Sequence, residues 1–103
     1  MPFGLTEHAL ELLIKLFEGF PEIEIVKIYG SRAIGNYYKG SDIDLAFYAK
    51  TDRYLTATLL AELDELPLPY LFDVTNYYRI IHQPLKTHID RVGIVIYEHH
   101  GQK

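Results

Sequence analysis

Asp42 and Asp44 stand at alternate positions in the otherwise apolar run Asp42-Ile43-Asp44-Leu45-Ala46-Phe47-Tyr48, and that alternation confines what the chain can become. A strand turns successive side chains to opposite faces. Ile43, Leu45 and Phe47 therefore point one way, toward a core, and Asp42, Asp44 and Ala46 point the other. The two carboxylates then share a face, about 6–7 Å apart along the backbone at ~3.3 Å per residue. That spacing suits joint ligation of one divalent cation, or a bridge between two. Ten residues separate this run from Gly30-Ser31, at the end of a second apolar run, Glu22 to Tyr29. A Gly-Ser turn opening a short helical segment, here Arg32 to Gly35, aims backbone N–H groups and a hydroxyl at an anion. A phosphate cradle beside metal-binding carboxylates points to chemistry on a nucleoside triphosphate.

Length and composition narrow the setting. The 103 residues are expected to form one domain over 1–103, with 49 % apolar residues to build its core. The chain lacks cysteine, which excludes disulfides and thiolate metal sites. No apolar run approaches the ~20 residues needed to cross a bilayer, and the N-terminus lacks a basic stretch followed by an apolar one. A cytoplasmic location is expected. The formal charge of −4 argues against a broad nucleic-acid-binding face but leaves room for a small basic pocket.

Periodicity supplies the remaining elements. Leu10, Leu13, Ile14 and Phe17 fall on one face of a helix from about Glu7 to Glu18, with Thr6 as N-cap. Strands are expected over Glu22–Tyr29, Asp42–Tyr48, Tyr70–Thr75 and Ile94–Tyr97. A second helix runs from about Thr51 to Glu65, burying Leu55, Leu59, Leu60 and Leu63. A third begins near Pro84 and stops at Gly93, a good C-terminal cap. Helices alternating with short strands imply an α/β or α+β fold, a small mixed sheet of about four strands backed by helices.

A third carboxylate, Asp73, interrupts the apolar run Tyr70-Leu71-Phe72-Asp73-Val74, where aspartate is disfavoured. It is either an edge residue facing water, or a metal ligand or general base brought beside Asp42 and Asp44 by strand pairing. Arg32 is either a phosphate contact or a solvated helix residue. Lys39 serves to solubilise its loop. Tyr37 or Tyr38 could stack on a base. Tyr77 and Tyr78 could do so too, but tyrosines more often close a small core with their hydroxyls in water. The histidines have no metal-ligand spacing; His8, His82 and His88 are taken as structural, and His99-His100 as a disordered tail.

The stretch Gly30-Ser31-Arg32-Ala33-Ile34-Gly35-Asn36 through Gly40-Ser41-Asp42-Ile43-Asp44-Leu45 resembles the signature of the minimal nucleotidyltransferases of the DNA polymerase beta superfamily. The resemblance continues through Asp73-Val74 and the closing segment Asp90 to Tyr97, so it covers nearly the whole chain. Ile34 departs from it, standing where many relatives carry a basic residue. The resemblance implies a polymerase beta-like core in which Asp42, Asp44 and Asp73 hold Mg²⁺, two ions being expected, and act in catalysis. It also implies that Gly30, Ser31 and Arg32 bind the nucleotide, with ATP as substrate.

Two strands, a turn and three carboxylates make only the donor half of a transferase, so the acceptor is expected on another polypeptide. Stand-alone minimal nucleotidyltransferases resemble antitoxins paired with HEPN-type helical toxins, which implies AMP transfer from ATP to a toxin tyrosine within a hetero-oligomer. Two other readings are kept: a small-molecule nucleotidyltransferase, of aminoglycoside type, with a helical substrate-binding subunit; and a non-catalytic antitoxin that acts by occlusion.

Overall fold

The computed structural model describes residues 4–30, 32–35 and 42–99. Helix α1 spans Glu7–Glu18, β1 Ile25–Tyr29, β2 Ile43–Tyr48, α2 Leu55–Asp64, β3 Phe72–Asn76, α3 Gln83–Val92 and β4 Ile94–Glu98. A 3₁₀ turn, Tyr77–Arg79, joins β3 to α3. The four strands form one mixed sheet in the order β3-β2-β1-β4. β1 pairs antiparallel with β2 and with β4, whereas β2 and β3 run parallel through the α2 crossover. Parallel neighbours require such a crossover, and the helical period between them supplies it. This is the mixed sheet backed by helices that the residue pattern implies.

The two faces of the sheet are covered differently. Val26, Ile28, Ile43, Leu45, Phe47, Phe72 and Val74 turn to one side and pack with Leu13 and Phe17 of α1 and Leu55, Leu59 and Leu63 of α2. On the opposite side a smaller cluster joins Tyr29 and Ala46 to Ile89 of α3, flanked by Tyr77, Leu85 and Val92. The alternation in β2 is as expected: Ile43, Leu45 and Phe47 are buried on the larger core.

Local chemistry accounts for the helix ends. The Thr6 hydroxyl accepts from Ala9 N–H at 3.0 Å, so α1 starts where its cap predicts. The second helix starts later than its periodicity suggests. Asp52 accepts from the Thr56 N–H at 2.9 Å and its hydroxyl at 2.8 Å, and Tyr54 adopts φ +62°, which keeps residues before Leu55 out of the helix. Gly93 ends α3, but not through left-handed backbone, since its φ is −65°. A Cβ there would sit 2.5 Å from the Ile89 carbonyl oxygen and 3.0 Å from Lys27 Cδ. Close approach, not conformational freedom, is what requires glycine there.

Other expectations are corrected. The first strand begins at Ile25 instead of Glu22, and the third runs Phe72–Asn76 instead of Tyr70–Thr75. The solvent-facing hydroxyls of Tyr77 and Tyr78 also find protein partners: they donate to Asp90 at 2.6 Å and Glu24 at 2.8 Å. His99 is no loose tail, because its N–H donates to the Glu24 carbonyl at 2.8 Å and prolongs the β4 pairing. Among the described residues, no helix is long and apolar enough to cross a membrane.

Candidate active site

β1 delivers Gly30 to the same end of the sheet at which β2 and β3 begin. Tyr29 pairs with Asp44, and Asp44 with Asp73, so these three residues form a row across adjacent strands. Register partners in a sheet present their side chains to one face, and Asp42, two positions before Asp44, shares it. The row lies on the α3 side, opposite the main core. Strand pairing thus brings together the three carboxylates that are spread over 32 positions of sequence.

Gly30 adopts φ +78°, which L side chains rarely do. A Cβ at this position would lie 2.5 Å from Asp44 Oδ2. The backbone therefore passes close over the carboxylate, and only glycine allows both the turn and the approach. The turn is closed by the N–H groups of Ala33 and Ile34, which donate to the Gly30 carbonyl at 3.2 and 3.3 Å. Residues 32–35 make a hydrogen-bonded turn without becoming a helix. Ser31, the second half of the proposed phosphate contact, lies outside the described residues. So do Tyr37, Tyr38 and Lys39.

Asp44 is half-buried, and its carboxyl is pushed above the usual range. Burial is the main cause, followed by the charges of Asp73 and Asp42, with His88 pulling the other way. Tyr29 is buried beside it, and its phenol is pushed up to about 12, by burial first and then by Asp44 and Asp73. It therefore stays protonated at physiological pH. The site is a concentration of negative charge that favours a cation. Carboxylate oxygens are hard donors, the type that Mg²⁺ prefers. Asp42 and Asp73 are exposed, and among the described residues no group of three or more His, Cys, Asp or Glu side chains is gathered closely enough to hold a metal ion as it stands. The donor set fits Mg²⁺ in chemistry and in shared face. Its closure around an ion is not built into these positions.

His88 is the residue that sequence reasoning missed. Its ring lies edge-on to Tyr29 with centroids 6.0 Å apart, and its charge acts on Asp44. It has no ligand spacing in sequence, and only the packing of α3 across this face brings it in. The one available signal was its place one residue before Ile89, the buried anchor of α3.

Arg32 is not a solvated helix residue. It is 3 % exposed, and its guanidinium carbon lies 5.3 Å from the centroid of the Tyr70 ring.

The chain matches the family model described as polymerase beta, nucleotidyltransferase, over residues 11–102. No curated protein is significantly similar to it in sequence. Among solved structures it resembles one described as a toxin-antitoxin with AMP-PNP, at 21 % identity and a TM-score of 0.73, covering 88 % of this chain and 74 % of that one. It also resembles a chain of the toxin-antitoxin MntA-HepT, at 19 % identity and a TM-score of 0.60, covering 91 % of this chain and 74 % of that one. At such identities the likeness is one of fold.

Proposed function

Since the chain belongs to the polymerase beta nucleotidyltransferase family, we propose that it moves AMP from ATP to a tyrosine hydroxyl of a HEPN-type helical toxin and thereby acts as its antitoxin. The observation that carries the reading is the row of carboxylates beside the Gly30 turn, with Asp73 paired to Asp44 and Asp42 on the same face. The toxin-antitoxin pairs among its structural neighbours, one of them described with AMP-PNP, support the choice of partner and nucleotide.

Asp42, Asp44 and Asp73 would hold Mg²⁺. When bound, the metal supplies positive charge to the triphosphate and to both the entering and leaving oxygens. Gly30 and Ser31 orient the β- and γ-phosphates, and Arg32 contributes to nucleotide binding from within the same turn. Asp73, exposed on its edge strand, takes the proton of the acceptor hydroxyl. The acceptor oxygen then bonds to the α-phosphorus as the bond to the bridging oxygen breaks, and pyrophosphate leaves. Tyr29 keeps its proton and offers a hydrogen-bond donor beside Asp44 throughout. A phenol suits this chemistry, with an ordinary pKa of ~10, well below an alkyl alcohol's.

The test is intact mass spectrometry of the toxin after incubation with this protein, Mg²⁺ and each nucleoside triphosphate. The expected result is a gain of whole AMP units with ATP, lost when the acceptor tyrosine becomes phenylalanine. Rescue from toxicity with no nucleotide attached anywhere would overturn transfer in favour of occlusion.

A further inference from the structure

Arg32 and Asn76 are the buried polar side chains among the described residues. A charge taken out of water is held by the groups that compensate it, and the Tyr70 ring is one of those around Arg32. We infer that Arg32 is a positioning residue: its guanidinium, laid on the Tyr70 ring, latches the phosphate-facing turn to the segment that begins β3. The separation of 5.3 Å lies within the ~6 Å over which a cation is attracted to a ring face.

The latch joins the parts that must stay in register. On one side, Arg32 follows Gly30 by two residues and shares its turn with Ala33, which packs against the main core. On the other, Tyr70 is half-buried against the same core and edge-on to Phe72, with centroids 6.5 Å apart. Leu71, its neighbour, accepts at its carbonyl from the Ile43 N–H at 2.9 Å. Asp73 thus lies three residues after Tyr70, and Asp42 directly precedes Ile43, the residue bonded to Leu71. A planar guanidinium can lay its face on a ring while its edges still donate hydrogen bonds, which an ammonium cannot do.

The consequence for nucleotide rests on the function proposed above; the latch itself does not. The test therefore has two readouts on the full chain: hydrogen exchange of the Ala33 and Ile34 amides without nucleotide, and the apparent Kd for Mg-ATP. The variants are Arg32→Lys, Tyr70→Phe, Tyr70→Leu and the Arg32→Lys/Tyr70→Leu pair, with thermal unfolding as a check on folding. Tyr70→Phe keeps the ring face and should match wild type. Tyr70→Leu should speed exchange at the turn and weaken Mg-ATP by about 3- to 30-fold, the range of a desolvated cation–ring contact. Arg32→Lys, which alters the guanidinium's other contacts as well, should do so at least as strongly, and the pair should be no worse than Arg32→Lys alone, as expected where the ring contact is shared. A direct phosphate contact would leave Tyr70→Leu with wild-type affinity and exchange, and that result overturns the latch. If wild type fails to bind Mg-ATP, the proposed function falls while the exchange arm still decides the latch.

Discussion

The two faces of the sheet carry opposite burdens. On the α1/α2 side the strands offer Val26, Ile28, Ile43, Leu45 and Phe47, fully buried or nearly so. On the α3 side the same strands offer Lys27, Tyr29, Asp42 and Asp44, with Asp73 from β3, under a much smaller apolar cluster. Alternation lets one backbone serve both, since each residue of β2 belongs wholly to one face. Substitutions on the first face should therefore damage folding and those on the second should damage chemistry. A variant that did both would show where the separation fails.

The largest effect is expected on the charged face. Asp42→Asn or Asp44→Asn keeps size but removes a negative ligand, so AMP transfer at saturating Mg²⁺ should fall by orders of magnitude in a protein that still folds. Pyrophosphate release and circular dichroism on the same samples check both halves. Near-normal turnover by either variant would break the assignment.

Phe47→Ala is the mirror-image substitution. Phe47 is fully buried between β2 and the helices, and truncating such a ring typically costs ~3–5 kcal/mol. Urea unfolding should show that loss, and nucleotide affinity measured well below the transition should hold.

Gly30→Ala is where the comparison should blur. The added methyl meets Asp44 Oδ2 and the backbone remains at φ +78°. Left-handed backbone alone costs an ordinary residue ~1–2 kcal/mol, so the unfolding midpoint should fall and Mg-nucleotide binding should weaken together. Ser31→Ala, next in chain, should touch binding only. Losing a hydrogen bond to a charged phosphate is worth ~1.5–3 kcal/mol in apparent KM for ATP, with the melting temperature unchanged.

The smallest effect concerns the metal-free fold. Asp44 has a folded pKa raised above its ordinary 3.8. The fold thus favours the protonated acid, and the stability linked to this group is lost as pH rises from 3.8 through the folded value. Asp44→Asn removes that penalty. At pH 7 without Mg²⁺ it should melt slightly above wild type, by less than ~1 kcal/mol given solvent screening, and the difference should shrink on acidification. A lower melting point at pH 7 would show that the carboxylate supports the fold.

Much of this was legible in the residues. Thr6 and the apolar spacing after it mark α1, and the alternation in β2 assigns Asp42 and Asp44 to one face before any coordinates. The helix that should begin at Thr51 misleads, because a sequence pattern does not reveal that Asp52 turns its carboxylate to Thr56 and Asn76. The same holds for Tyr78, whose hydroxyl partner Glu24 lies 54 residues away.

Local order therefore determined which residues were candidates for holding a phosphate and a metal, because period and turn chemistry act over a few neighbouring residues. Tertiary structure decided the rest. It set Asp73 beside Asp44 through a parallel pairing, swung His88 over Tyr29, and drew Arg32 out of water onto Tyr70. Each of these contacts joins segments far apart in the chain. Their geometry depends on how the sheet orders its strands and which face each helix covers, and no window of sequence contains that information.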